Sequence, residues 1–194
     1  MIKKFNDYAQ TKGYSDFPTL PKGGYVCKVM GTSIESDGAY IKISFDVAEG
    51  EHAGFYASDY RSQTGEDKKW RGNYLLYIPK DDGSENDGWT KRKFKTFVEA
   101  LEDSNPGYHF DWDETKFKGK LFGGLFNQRE YKKRDGGSAW ATNLAQVTTV
   151  ERIKTNDFRL PADRPLKGSG ATAQTDTDGF MNVPAGNEEE GLPF

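Results

Sequence analysis

The sequence predicts a mainly β domain of five strands, with one helix between the third and fourth, followed by a disordered acidic tail. Three observations carry this. Residues 40–47 alternate strictly between apolar and polar side chains, the period of a half-buried strand. Residues 118–153 hold two strand-like runs around a KKRDGGS turn, which reads as a β-hairpin. Between them, Phe94, Phe97, Val98 and Leu101 fall at i, i+3, i+4 and i+7, one face of a helix.

In chain order, residues 1–22 scatter Phe5, Tyr8, Tyr14 and Phe17 before Pro18 and Pro21, an irregular arm with room for one helical turn. Residues 24–34 are the first strand, with Tyr25, Cys27 and Val29 alternating with Val26, Lys28 and Met30. Ser36, Asp37 and Gly38 make a turn. The second strand points Ile41, Ile43, Phe45 and Val47 to a core and Tyr40, Lys42, Ser44 and Asp46 to water. A third strand is expected over residues 54–61, and pairing the three as a meander is the simplest topology. Residues 62–73 are a polar connection, and the apolar run 74–78 either extends the third strand or opens the next element. An acidic loop over 80–88 leads to the helix, with Thr90 as its expected N-cap and Asn105-Pro106-Gly107 as its stop. The hairpin closes the domain. Three strands, a helix and two strands is the chain order of an OB-fold, a small, partly open five-stranded barrel. In that fold the loop between strands four and five flanks the ligand groove.

Of the 194 residues, 35% are hydrophobic, low for one compact unit of this length. The expected division is a domain over 1–166 and a tail over 167–194. The tail sets one base, Lys167, against Asp176, Asp178, Glu188, Glu189 and Glu190, a net charge of −4 within a chain total of −3. The domain is therefore close to neutral, at +1, and its basic patches are local. The single Cys27 excludes an internal disulfide and a thiolate zinc cluster. No apolar run approaches the length of a membrane helix, and the N-terminus has no signal-peptide core, so a cytoplasmic protein is expected.

The hairpin carries the chemistry. Arg129, Lys132, Lys133 and Arg134 crowd its turn, with Phe122, Phe126, Tyr131 and Trp140 among them. Cations for a phosphate backbone and flat rings for bases are what a single-strand binder needs. Lys68, Lys69, Trp70 and Arg71 repeat the combination in the polar connection, joined by Tyr60, Arg61 and Lys42. Lys91, Arg92, Lys93 and Lys95 put a basic start on the helix, against its macrodipole. Asp111, Asp113 and Glu114 lie close enough in sequence to consider a divalent metal. They lack the spacing of a calcium loop, and His109 has no second histidine to pair with. No metal or other cofactor is expected.

The sequence ends in Glu188, Glu189 and Glu190, then Gly191, then Leu192, Pro193 and Phe194, an acidic run before an apolar tripeptide that suits a partner's pocket. It resembles the tail of bacterial single-stranded-DNA-binding proteins, with Gly191 intruding. LPKGGYVCKV, WTKRKFKTF, FKGKLFGGLFNQREY and DGFMNVP resemble a family of phage-encoded single-stranded-DNA-binding-like proteins from phages of Gram-positive bacteria. The resemblance implies an OB-like core that binds ssDNA in phage replication, recombination or repair within the host cytoplasm, and a tail that recruits partner enzymes. The expected function is thus a non-enzymatic ssDNA-binding protein. The alternatives are a protein-binding adaptor and a metal-dependent nuclease built on Asp111, Asp113 and Glu114.

Overall fold

The computed structural model describes residues 3, 6, 8, 9, 19–64, 67–133 and 136–166. Its strands are β1 (Gly23–Glu35), β2 (Tyr40–Val47), β3 (Asn73–Tyr77), β4 (Leu121–Lys132) and β5 (Ser138–Thr148). Its α-helices are α1 (Phe55–Ser62), α2 (Glu85–Ser104) and α3 (Val150–Lys154). The five strands form one sheet in the order β3-β2-β1-β4-β5, with every neighbouring pair antiparallel. The sheet is open: β3 and β5 are its two edges, so the closed barrel is not formed.

β2 buries its apolar face as its alternation predicts, but Asp46, expected in water, is buried as well because its carboxylate binds backbone N–H groups. Ile41, Ile43, Phe45 and Val47 are buried, and the meander β1-β2-β3 is present. The third strand, however, is residues 73–77, and residues 54–61 are almost entirely α1. The cause is a contact ten residues back. Asp46 accepts hydrogen bonds from the Tyr56 N–H at 2.9 Å and the Ala57 N–H at 3.0 Å, so its carboxylate sits on the orphan donors of the helix start. Gly54, at φ 72°, supplies the sharp bend before it. Tyr56 and Asp59 then turn inward one helical turn apart.

α2 begins earlier than Thr90. Ser84 is its N-cap and accepts from the Asp87 N–H, while Thr90 lies inside the helix and donates to the Asn86 carbonyl. Buried Asp87 explains the early start: it accepts from the Lys80 and Asp81 N–H groups at 3.0 Å and pairs with Lys91 at 2.8 Å, tying the acidic loop down. α2 packs against β3, β4 and β5. Phe97 is its central contact, stacked on Tyr74 of β3 at 5.9 Å and tilted on Phe122 of β4 at 5.7 Å. The largest core side chains are Phe45, Phe97, Phe117, Phe122 and Phe126. Cys27 is buried with them, and burial pushes its thiol well above the ordinary range.

The second face of β1 and β4 is covered by α3, in residues expected to belong to the hairpin, and by Phe158. A Cβ on Gly24 would lie 2.5 Å from the Phe158 ring, and one on Gly123 would lie 2.6 Å from the Thr149 carbonyl. Only glycine admits this approach. Beyond the start of β1, residues 162–166 take over the free edge of β4. The Arg164 N–H donates to the Gln128 carbonyl and the Glu130 N–H donates to the Arg164 carbonyl, each at 2.8 Å. Asp163 accepts from the Gln128 N–H at 3.0 Å and from Lys22 at 2.8 Å. Of the expected N-terminal arm, Leu20 is buried in the core, whereas Phe5, Tyr14, Phe17 and Pro18 lie outside the described residues. No described helix is long and apolar enough to cross a membrane.

Candidate nucleic-acid interface

The predicted residues fall into two groups. The first is built on α1 and the strand it precedes. Tyr60 projects from α1, 38% exposed, with the Lys68 ammonium 5.9 Å from its ring centroid and the Trp70 ring at 6.0 Å. Trp70 itself is half-buried against the core. Its indole N–H is shared between the Phe45 carbonyl at 3.1 Å and the Gly72 carbonyl at 3.0 Å. It is a strut that holds the connection in place. Gln63 pins the same connection through both the N–H and the carbonyl of Lys69. Arg71 is committed to buried Asp59 at 3.1 Å, and the Arg61 Nε donates to the Ala57 carbonyl.

This group leads onto the outer face of β2 and β3. The Asn73 amide donates to the Trp70 carbonyl and its oxygen accepts from Ser44. Next across the face come Lys42 beside Leu75, then Tyr40 beside Tyr77 with ring centroids 5.7 Å apart. Leu75 and Tyr77 are each 44% exposed. Sequence reasoning put Lys42 in the site and missed Tyr40, Leu75 and Tyr77. The signal was present: Tyr40 lies on the wet face of the alternation, and Tyr77 belonged to the short apolar run whose pairing was undecided.

The second group is the distal half of the β4–β5 hairpin. Arg129, Lys132 and Lys133 are exposed, as are Tyr131 and Trp140, while Arg134 lies outside the described residues. Phe122 and Phe126 are corrected. Both are fully buried, packed edge-on around Phe45 at 5.9 Å, so no base reaches them. The register also separates the two exposed rings. Trp140 is opposite Glu130 and Tyr131 is opposite Ala139, so adjacent positions send them to opposite faces of the ribbon. Glu130, beside Trp140, is engaged: it accepts from the Ser138 hydroxyl at 2.6 Å and the Leu166 N–H at 3.0 Å. The sheet order keeps the two groups apart, with β1 between β2–β3 and β4–β5.

The charges differ in their commitments. Among the described residues, Lys42, Arg61, Lys68, Arg129, Lys132 and Lys133 form no ion pair, whereas Lys91, Lys95, Lys116 and Lys154 each do. In the loop after α2, Asp111 and Asp113 turn to Lys116, and Asp113 caps the short 3₁₀ turn at Glu114–Phe117. The described residues hold no group of three or more His, Cys, Asp or Glu side chains placed to share a metal ion. Residues 188–194 lie outside the described residues. No protein-family model and no curated protein matches this chain.

Proposed function

We propose that this chain is a non-enzymatic single-stranded-DNA-binding protein, serving phage DNA replication or recombination, with an OB-like domain as its binding unit. One observation carries the reading: the cations without ion pairs stand beside the partly exposed rings, Lys68 at Tyr60, Lys42 near Tyr40 and Tyr77, and Arg129, Lys132 and Lys133 around Tyr131 and Trp140. An unpaired ammonium next to a ring offers one nucleotide both a phosphate contact and a stacking surface. Duplex DNA, whose bases are already stacked, uses only the first, so ssDNA binds more tightly. Glu188, Glu189 and Glu190 with Leu192, Pro193 and Phe194 form the segment that recruits replication or recombination enzymes, the acids acting mainly on encounter rate.

Fluorescence titration with oligo-dT at two salt concentrations tests the domain. For ssDNA, log K falls by about 0.7 per neutralised phosphate per log unit of salt. Replacing Lys132 and Lys133 together with Gln lowers the slope by about 1.4. An unchanged slope removes the hairpin from the strand's path, and equal affinity for duplex and single strand removes the reading.

A further inference from the structure

We infer that Lys93 of α2, with the Trp89 indole under its ammonium, and Arg164 of the segment along β4 form an additional subsite for the backbone phosphate of a single strand. The inference rests on the DNA-binding reading and deepens it, by carrying the strand from the hairpin onto the helix.

The first half of α2 holds four bases; Arg92 is exposed with no ion pair among the described residues, and the fold divides the three lysines. Lys91 is held by Asp81 and by Asp87, and Lys95 is paired with Glu99 at 3.5 Å. Lys93 has no carboxylate partner among the described residues. Its ammonium lies 4.1 Å from the centroid of the Trp89 ring, on a half-buried side chain. The charged group that acts on it is a like charge, Arg164. Burial first, and Arg164 second, push the Lys93 pKa below the ordinary lysine range. The protonated form is thus held where the folded protein disfavours it.

Arg164 is itself fixed. Its N–H and carbonyl bond to Gln128 and Glu130, which sets it side by side with Arg129 of the hairpin. Neither arginine has an acidic partner among the described residues, so Arg129 and Arg164 stand uncompensated side by side, with Arg164 in electrostatic reach of Lys93. A partly dehydrated cation pressed by another is relieved by an anion, and a phosphodiester oxygen makes the charge-assisted bond that both lack. Trp89, half-buried under the ammonium, restrains it and offers apolar surface to the adjoining sugar or base.

The test is fluorescence anisotropy of a labelled oligo-dT, about 20 nucleotides long, across a salt series, on the full chain and on single variants. Lys93→Gln and Arg164→Gln are each expected to lower the log–log salt slope by about 0.7 and to weaken binding about eightfold near 0.05 M salt. Lys93→Arg keeps the charge and restores the slope. Lys95→Gln, at an ion-paired position, leaves it unchanged. Arg164→Gln keeps its main-chain bonds to β4 and so reads the subsite even where Lys93→Gln loosens the helix. If the parent binds and both Gln variants keep its slope, the subsite is wrong while DNA binding stands. If the parent does not bind the oligonucleotide, both fall. The same series with inorganic phosphate as competitor separates a strand subsite from a free-phosphate site. Displacement of the oligonucleotide by millimolar phosphate at constant ionic strength, in the parent but not in Lys93→Gln, shows a free-phosphate site and overturns the assignment.

Discussion

Trp70 and Trp140 sit in similar sequence surroundings, and the fold predicts opposite outcomes for their removal. Trp70→Ala takes away a half-buried ring packed on the core and the indole N–H given to the Phe45 and Gly72 carbonyls. A fully buried Trp→Ala change costs about 3–5 kcal/mol. Partial exposure lowers that figure, and the lost hydrogen bond adds about 1 kcal/mol, leaving a total of about 3 kcal/mol. For a folded unit of this size, that lowers Tm by about 6–12 °C. Trp140 is 45% exposed at the far end of β5. Its removal should cost under about 1 kcal/mol of stability, as for an ordinary surface site. It should also remove a base-stacking surface worth about 1–3 kcal/mol, a fall in ssDNA affinity of about 5-fold to 150-fold. Thermal melts and anisotropy titrations on the same two preparations decide it. If Trp140→Ala melts as low as Trp70→Ala and binds DNA like the parent, then Trp140 is a packing residue and the hairpin loses its main stacking surface.

Further outcomes follow from the same geometry. Phe122→Ala or Phe126→Ala should destabilise the domain by about 3–5 kcal/mol in denaturant melts; a variant that stays fully stable but loses DNA binding would contradict their burial. Lys22, and then the Gln128 N–H, hold the Asp163 carboxyl below the ordinary aspartate range. The ionised form therefore favours the folded state. That contribution is complete above the unfolded value of about 3.9 and is lost as pH falls through the lower folded value. Protection factors at the Arg164 and Glu130 amides, measured against the intrinsic exchange rate at each pH, should fall in that acid window, and Asp163→Asn should show the lower protection at neutral pH as well. Deleting residues 187–194 should abolish partner recruitment and leave ssDNA binding equal or slightly tighter at low salt, because tethered acids compete with phosphate for the basic hairpin; loss of DNA binding with recruitment intact would reverse the proposed division of labour.

The sequence by itself determined the elements whose signal is local. Strict alternation over residues 40–47 fixes β2 and its buried face, because a period of two fits only a half-buried strand. The apolar face of Phe94, Phe97, Val98 and Leu101 fixes α2, and the glycine turn fixes the hairpin. Tertiary structure decided what those signals leave open. Residues 55–62 contain rings that fit a strand as well as a helix, and the Asp46 carboxylate on the Tyr56 and Ala57 amides selects the helix. The four aromatics of the hairpin region look equivalent in the sequence. Phe122 and Phe126 lie within the span covered by β1 and the Phe45 ring, while Tyr131 and Trp140 extend past it, so two become core and two become surface. The bases of α2 are likewise alike until Asp87 and Glu99 claim Lys91 and Lys95 and leave Lys93 with only a ring and a second cation. Period and turn chemistry act between neighbours in the chain. Burial and charge compensation depend on partners brought in from elsewhere, and those partners exist only once the sheet has formed.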